Sequence, residues 1–192
     1  HGEGGAVAML AASRSGGIAA LALVAAPGVS GATLGLDQQR HALGLLKIPD
    51  AEKQAKIELQ EKIQHAVMTG KGLDGIPPAL RRQADTLWFQ SFLTYDPARV
   101  MRKVDQPILI VHGELDREID PSNADRLEAL AKGRKAAAGR TVKLVKVAGV
   151  NHLLVPAASG ELDEDSRLTD RRVSQSVIAA IEAWLKETLG AR

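Results

Sequence analysis

The sequence predicts an α/β protein whose parallel sheet is flanked by helices. Strand-like and helix-like segments alternate along its 192 residues, which is the pattern of a parallel sheet with crossover helices. Two of the strand-like segments are continuous apolar runs, as expected where helices cover both faces of a sheet. The composition, 45% apolar and 25% charged, is typical of one globular domain.

The chain opens with a glycine-rich turn, a helix and a buried strand. Small apolar residues over 6–12 favour a helix, and the Ser-Gly-Gly sequence at 15–17 ends it. An apolar run over residues 18–26, followed by Pro27 and Gly28, then predicts a strand.

Residues 33–95 differ in character and predict an inserted helical cap. Leu59, Ile63 and Val67 fall on one helical face among charged residues. Four of the chain's five Phe, Trp and Tyr residues lie within 88–95, and this aromatic cluster is interpreted as packing within the cap rather than as a substrate clamp.

The remaining sequence predicts two strands and three helices. An Asp-Pro pair at 96–97 starts a short helix, and residues 107–113 form a second buried strand. Asp120 is expected to cap a helix that begins at Pro121. Residues 142–147 alternate with period two, as in a strand with one wetter face, and residues 177–185 form an amphipathic last helix.

Composition excludes several classes of function. A formal net charge of +2 makes nucleic acid an improbable partner. The absence of cysteine rules out disulfides and Cys-based zinc or iron–sulfur sites, and no cofactor is expected. The most apolar run, residues 17–29, is too short to span a membrane.

The first five residues carry a motif with chemical meaning. His-Gly-Glu-Gly-Gly running into a helix of small residues resembles the nucleophile elbow of α/β-hydrolases, Gly-x-Ser-x-Gly, in its Gly-His-Ser-Glu-Gly-Gly form. Gly2 occupies the position at which the family has its serine. A phosphate-binding turn or simple tight packing would give a similar pattern, so this motif depends on support from elsewhere.

Two further motifs follow in the family's order of nucleophile, acid and histidine. The strand at 107–113 leads into Gly113-x-x-Asp116, which resembles the acid loop, and the strand at 142–147 leads into Gly149-x-x-His152, which resembles the histidine turn. The resemblance implies Asp116 as the acid, His152 as the base, and the backbone N–H of Glu3 as one oxyanion donor.

This resemblance covers essentially the whole chain and corresponds to the C-terminal half of an α/β-hydrolase. It implies core segments at 1–32 and 96–192, a cap at 33–95, and cleavage of a small carboxylic ester or, less favoured, an amide. Three predicted strands are few for so many helices, and the chain starts without Met. We therefore expect an upstream N-terminal half that covers the edge of the first strand.

Four other carboxylates compete with Asp116 for the acid role: Glu114, Glu118, Asp120 and Asp125. Asp120 already has a capping role. His112, Glu114 and Asp116 alternate like metal ligands, but no second ligand cluster accompanies them, so no metal site is expected.

Gly2 itself offers no nucleophile, and no other Gly-x-Ser-x-Gly occurs in the chain. The glycine is compatible with an engineered replacement, a natural loss, or a recorded sequence that departs from the original residue; the intact acid and histidine favour the first or the third. The alternative function is a catalytically inactive binding protein of the same fold.

Overall fold

The computed structural model of the protein describes residues 1–84, 86–135 and 140–190. In chain order its elements are α1 (Glu3–Ala12), β1 (Leu21–Val24), α2 (Gly31–Gly44), α3 (Asp50–Thr69), a 3-10 turn (Leu73–Gly75), α4 (Pro78–Ala84), α5 (Leu87–Thr94), α6 (Pro97–Met101), β2 (Ile108–Gly113), α7 (Ser122–Lys132), β3 (Val142–Val147), α8 (Leu162–Asp165) and α9 (Gln175–Leu189). None of these helices is long and apolar enough to cross a membrane. The chain divides into two compact units, one of residues 1–29 with 97–192 and one of residues 30–96.

The three strands form one parallel sheet in the order β1-β2-β3. All six residues of the central strand, β2, are buried, which is the burial expected of a strand covered on both faces. The predicted fold class, a parallel sheet flanked by helices, is therefore confirmed. β1 is shorter than the predicted 18–26, and directly after it Ala25 adopts a φ of 45°, which departs from extended backbone.

One part of the core of this first unit lies between the sheet and the last helix. Val24, Leu109 and Val111 from the strands pack with Val177 and Trp184 of α9. Because the strands are parallel, the segments that follow β1, β2 and β3 all leave the sheet at its carboxyl edge. That edge is where open α/β sheets place their functional loops.

In the second unit, residues 30–96, the regular elements that the structure describes are all helical. Its core contains Ile63, Val67 and Leu93. Trp88 stacks on Phe92 with 5.6 Å between ring centroids, so the aromatic cluster does pack within this unit, although 57% of Trp88 remains exposed.

Two local expectations need correction. α7 begins at Ser122 rather than Pro121, although the Asp120 carboxylate does accept a hydrogen bond from the Ser122 N–H at 2.9 Å. The like charges in the acidic run at 161–165 predict an exposed loop, but this segment contains the short helix α8. The cause is that the Glu164 carboxylate accepts hydrogen bonds from the N–H groups of Ala158, Ser159 and Gly160, which folds the segment back on itself.

Candidate active site

Gly2 lies in a sharp turn that enters α1 at the carboxyl end of β1. Its N–H donates to the Val24 carbonyl at 3.0 Å, and its own carbonyl accepts from the Gly5 N–H at 2.9 Å. The backbone angles at Gly2 are φ 56° and ψ −131°, a conformation that costs a residue with a side chain of order 1–3 kcal/mol. In a nucleophile elbow, a turn of this kind at the start of a helix exposes the nucleophile.

The elbow, residues 1–5, also depends on close packing at Gly5. A Cβ atom at Gly5 would lie 2.5 Å from the Cβ of Ala26, whereas a Cβ at Gly4 would have nothing within 4 Å. The glycine that sterics require is therefore Gly5, one residue beyond the last glycine of the Gly-x-Ser-x-Gly pattern. This contact lets α1 approach the end of β1.

Asp116 lies in the turn after β2 and its side chain is completely buried. One carboxylate oxygen, Oδ1, accepts hydrogen bonds from the N–H groups of Glu118 at 3.0 Å and Ile119 at 2.8 Å. The other, Oδ2, lies 2.9 Å from Nδ1 of His152. The structure thus brings Asp116 and His152 together, while the Asp120 carboxylate contacts the start of α7 instead.

His152 connects the acid to the elbow. An ionised Asp116 carboxylate can only accept a hydrogen bond, so Nδ1 of His152 carries the proton. Nε2 of the same ring is then the acceptor. A Cβ atom at Gly2 would lie 3.6 Å from that Nε2. His1, Gly2, Asp116 and His152 therefore meet at one place, since the His1 ring also contacts the His152 ring at 4.6 Å.

Burial and hydrogen bonding act in opposite directions on both titratable groups. Burial acts to raise the pKa of Asp116, but hydrogen bonds from His112, His152 and the Ile119 amide outweigh it and hold that pKa below its usual value. Burial acts to lower the pKa of His152, yet the hydrogen bond and charge of Asp116, with the charges of Glu118 and Asp165, leave it raised. The pair therefore favours an ionised acid beside a basic imidazole.

His112 is a member of the site that sequence reasoning missed. It is the penultimate residue of β2, completely buried, with Nε2 2.7 Å from the Ile119 carbonyl oxygen and 3.1 Å from Asp116 Oδ2. Since a carbonyl only accepts, Nε2 carries the proton. The residues described hold no group of three or more His, Asp or Glu arranged around a common metal position. The only sequence signal was a histidine four residues before the acid.

The segment that carries His152 is held from two sides. On one side the Leu115 N–H donates to the Val150 carbonyl at 2.9 Å, which joins the acid loop (residues 113–121) to the histidine loop (residues 148–156). On the other side the buried Asn151 amide donates to Asp165 Oδ1 at 2.8 Å. The acidic run at 161–165 predicts a solvated loop, so the sequence does not predict this contact of Asp165.

Glu3 is the first residue of α1. Its backbone N–H therefore follows residue 2 directly. This is the position from which an oxyanion donor acts in an elbow.

Comparisons with known proteins found similarity to solved structures. No family model matches the chain, and no curated protein matches it. The chain is similar to the esterase domain of a Rhodothermus marinus protein at 18% sequence identity and a TM-score of 0.44, covering 100% of this chain and 57% of that one. The chain thus spans little more than half the length of that esterase domain.

Proposed function

We propose that the protein is a hydrolase of the α/β-hydrolase type that acts on carboxylic esters, with amides less favoured. Asp116 is the acid, His152 is the base, and residue 2 is the nucleophile position. One observation carries the proposal: an Asp116–His152 pair at 2.9 Å presents Nε2 to the side-chain position of residue 2, 3.6 Å from its Cβ site, inside an elbow with a φ of 56°. The predicted cap, residues 33–95, falls within the helical unit of residues 30–96.

The chemistry follows from this arrangement when a hydroxyl stands at residue 2. His152 Nε2 removes the hydroxyl proton as the oxygen attacks the ester carbonyl, and the buried Asp116 carboxylate stabilises the imidazolium that forms. The Glu3 N–H stabilises the developing oxyanion.

The experiment is a gain of function by Gly2→Ser in the full-length protein. We expect hydrolysis of short p-nitrophenyl esters, with a kcat above that of the unmodified protein on the order of a millionfold, because that is the cost of losing the nucleophile of a serine hydrolase. Adding His152→Ala should abolish the gain, since the hydroxyl is a poor nucleophile without a base.

The matched control is Gly2→Ser with His65→Ala. His65 is an exposed histidine in the other unit, so its removal should leave turnover unchanged. A Gly2→Ser protein with native circular dichroism and cooperative unfolding, yet no turnover across a panel of esters and amides, would contradict the proposal.

A second candidate is a non-catalytic binding protein, and the glycine at residue 2 is the observation in its favour, because glycine cannot form an acyl intermediate. This candidate predicts that the unmodified protein binds an ester with an affinity that Gly2→Ser leaves intact and that no turnover accompanies binding. Isothermal titration of a non-hydrolysable ester analogue, alongside the turnover assay, separates the two.

A further inference from the structure

We propose that the protein with Gly2 in place hydrolyses activated carboxylic esters directly, by attack of a water molecule that His152 deprotonates. The inference rests on the proposed function, because it uses the same acid and base. It differs in that no residue of the protein becomes acylated.

The side-chain position of residue 2 faces Nε2 of His152. Within 4 Å of a Cβ atom at Gly2, the nearest atoms outside the adjoining residues are Nε2 and Cε1 of His152, at 3.6 and 3.8 Å. A water molecule occupies about 30 Å³. With no side chain at residue 2, water can take the place of a hydroxyl directly opposite the base.

The base is fixed for this task by the acid loop. His152 Nδ1 is held by Asp116 at 2.9 Å, and 14% of the His152 side chain is exposed. Asp116 is in turn held by the Glu118 and Ile119 N–H groups. These contacts keep Nε2 directed at residue 2 whether or not a nucleophile is present there.

The reaction balances without any further reagent. The water oxygen forms a bond to the carbonyl carbon while its proton passes to His152 Nε2, and the Glu3 N–H stabilises the oxyanion. The tetrahedral intermediate then collapses, the bond to the alcohol oxygen breaks, and His152 returns the proton to the departing alkoxide. One ester and one water become one acid and one alcohol.

The test compares p-nitrophenyl acetate hydrolysis by the full-length protein and its His152→Ala variant, expressed and purified in parallel. General-base catalysis contributes about 10²–10⁴-fold, so we expect His152→Ala to lower the rate at least tenfold. His65→Ala, the exposed control, should leave it unchanged. Equal rates for the unmodified protein and His152→Ala would overturn the inference.

Gly2→Ala tests where the water acts. An added Cβ enters the space opposite His152 without supplying a hydroxyl, and it bears the same backbone strain as Gly2→Ser. We expect Gly2→Ala to fall to the His152→Ala rate, and a Gly2→Ala protein as active as the unmodified one would contradict the assignment.

Mass spectrometry during turnover separates this inference from the proposed function. Gly2→Ser should show an acyl group on residue 2, whereas the unmodified protein should show none anywhere. If Gly2→Ser turns over while the unmodified protein is no faster than His152→Ala, the inference fails and the proposed function stands. If Gly2→Ser is also inactive, both fail.

Discussion

The two parts of the candidate site are built in different ways. In the acid and histidine loops, hydrogen bonds between side chains define the geometry. The Asp116 carboxylate accepts hydrogen bonds from His152, His112 and two backbone N–H groups. In the elbow, backbone contacts and the packing of Gly5 on Ala26 define the turn. The difference teaches that the geometry of the elbow does not depend on a side chain at residue 2.

Among changes to the acid and histidine loops, Asp116→Asn in the Gly2→Ser protein should have the largest effect on kcat. An amide at this position no longer stabilises the imidazolium and favours the wrong tautomer of His152, and such a change costs about 10⁴-fold in kcat in a serine hydrolase triad. The kcat for a p-nitrophenyl ester is the measurement. Asp120→Asn is the matched control, because asparagine also caps helices; equal losses in both variants would refute the distinct role of Asp116.

Alanine substitutions at two adjacent glycines, Gly4 and Gly5, test the packing of the elbow. Gly5→Ala places a methyl group 2.5 Å from the Ala26 Cβ, and we expect it to lower the free energy of unfolding by about 1–3 kcal/mol, the usual cost of overpacking. Gly4→Ala meets nothing within 4 Å and should stabilise α1 by up to about 1 kcal/mol.

Urea denaturation measures both variants. Similar unfolding free energies for Gly5→Ala and Gly4→Ala would show that the elbow is not fixed by this contact.

A smaller effect is expected at His112, whose Nε2 contacts both the Ile119 carbonyl oxygen and Asp116 Oδ2. In the Gly2→Ser background, His112→Leu should lower kcat about tenfold with KM unchanged, since one buried hydrogen bond contributes about 0.5–1.5 kcal/mol. His112→Gln retains an N–H donor and should restore part of the loss.

If His112 has a purely structural role, His112→Leu should lower the free energy of unfolding without changing the environment of His152. The discriminating readout is the proton resonance of His152 Nδ1–H, which we expect His112→Leu to shift and His112→Gln to return toward its original position. An unchanged resonance in His112→Leu would assign His112 to packing alone.

Local patterns in the sequence were sufficient to predict β2 and β3. Period two placed β3 at Val142–Val147, and the apolar run placed β2 to within one residue at Ile108–Gly113. β1 was predicted too long, because hydrophobicity continues through Ala25 and Ala26 whereas the backbone turns at Ala25 with a φ of 45°.

The parts of the site that were missed depend on contacts between distant residues. Nothing local to Gly5 signals that Ala26 will lie against it, and nothing local to Asp165 signals that it will bind the Asn151 amide. His112 and Ile119 are seven residues apart, and their hydrogen bond exists only because the acid loop returns over the end of β2.

The most direct test of the central claim, that the elbow holds residue 2 in reach of a base fixed by Asp116, is covalent labelling with a fluorophosphonate. This probe reports nucleophile activation without requiring the natural substrate. We predict that the folded Gly2→Ser protein takes up one phosphonyl group, that peptide mapping places it on residue 2, and that His152→Ala abolishes it. Labelling that is absent, that maps elsewhere, or that persists in His152→Ala would contradict the claim.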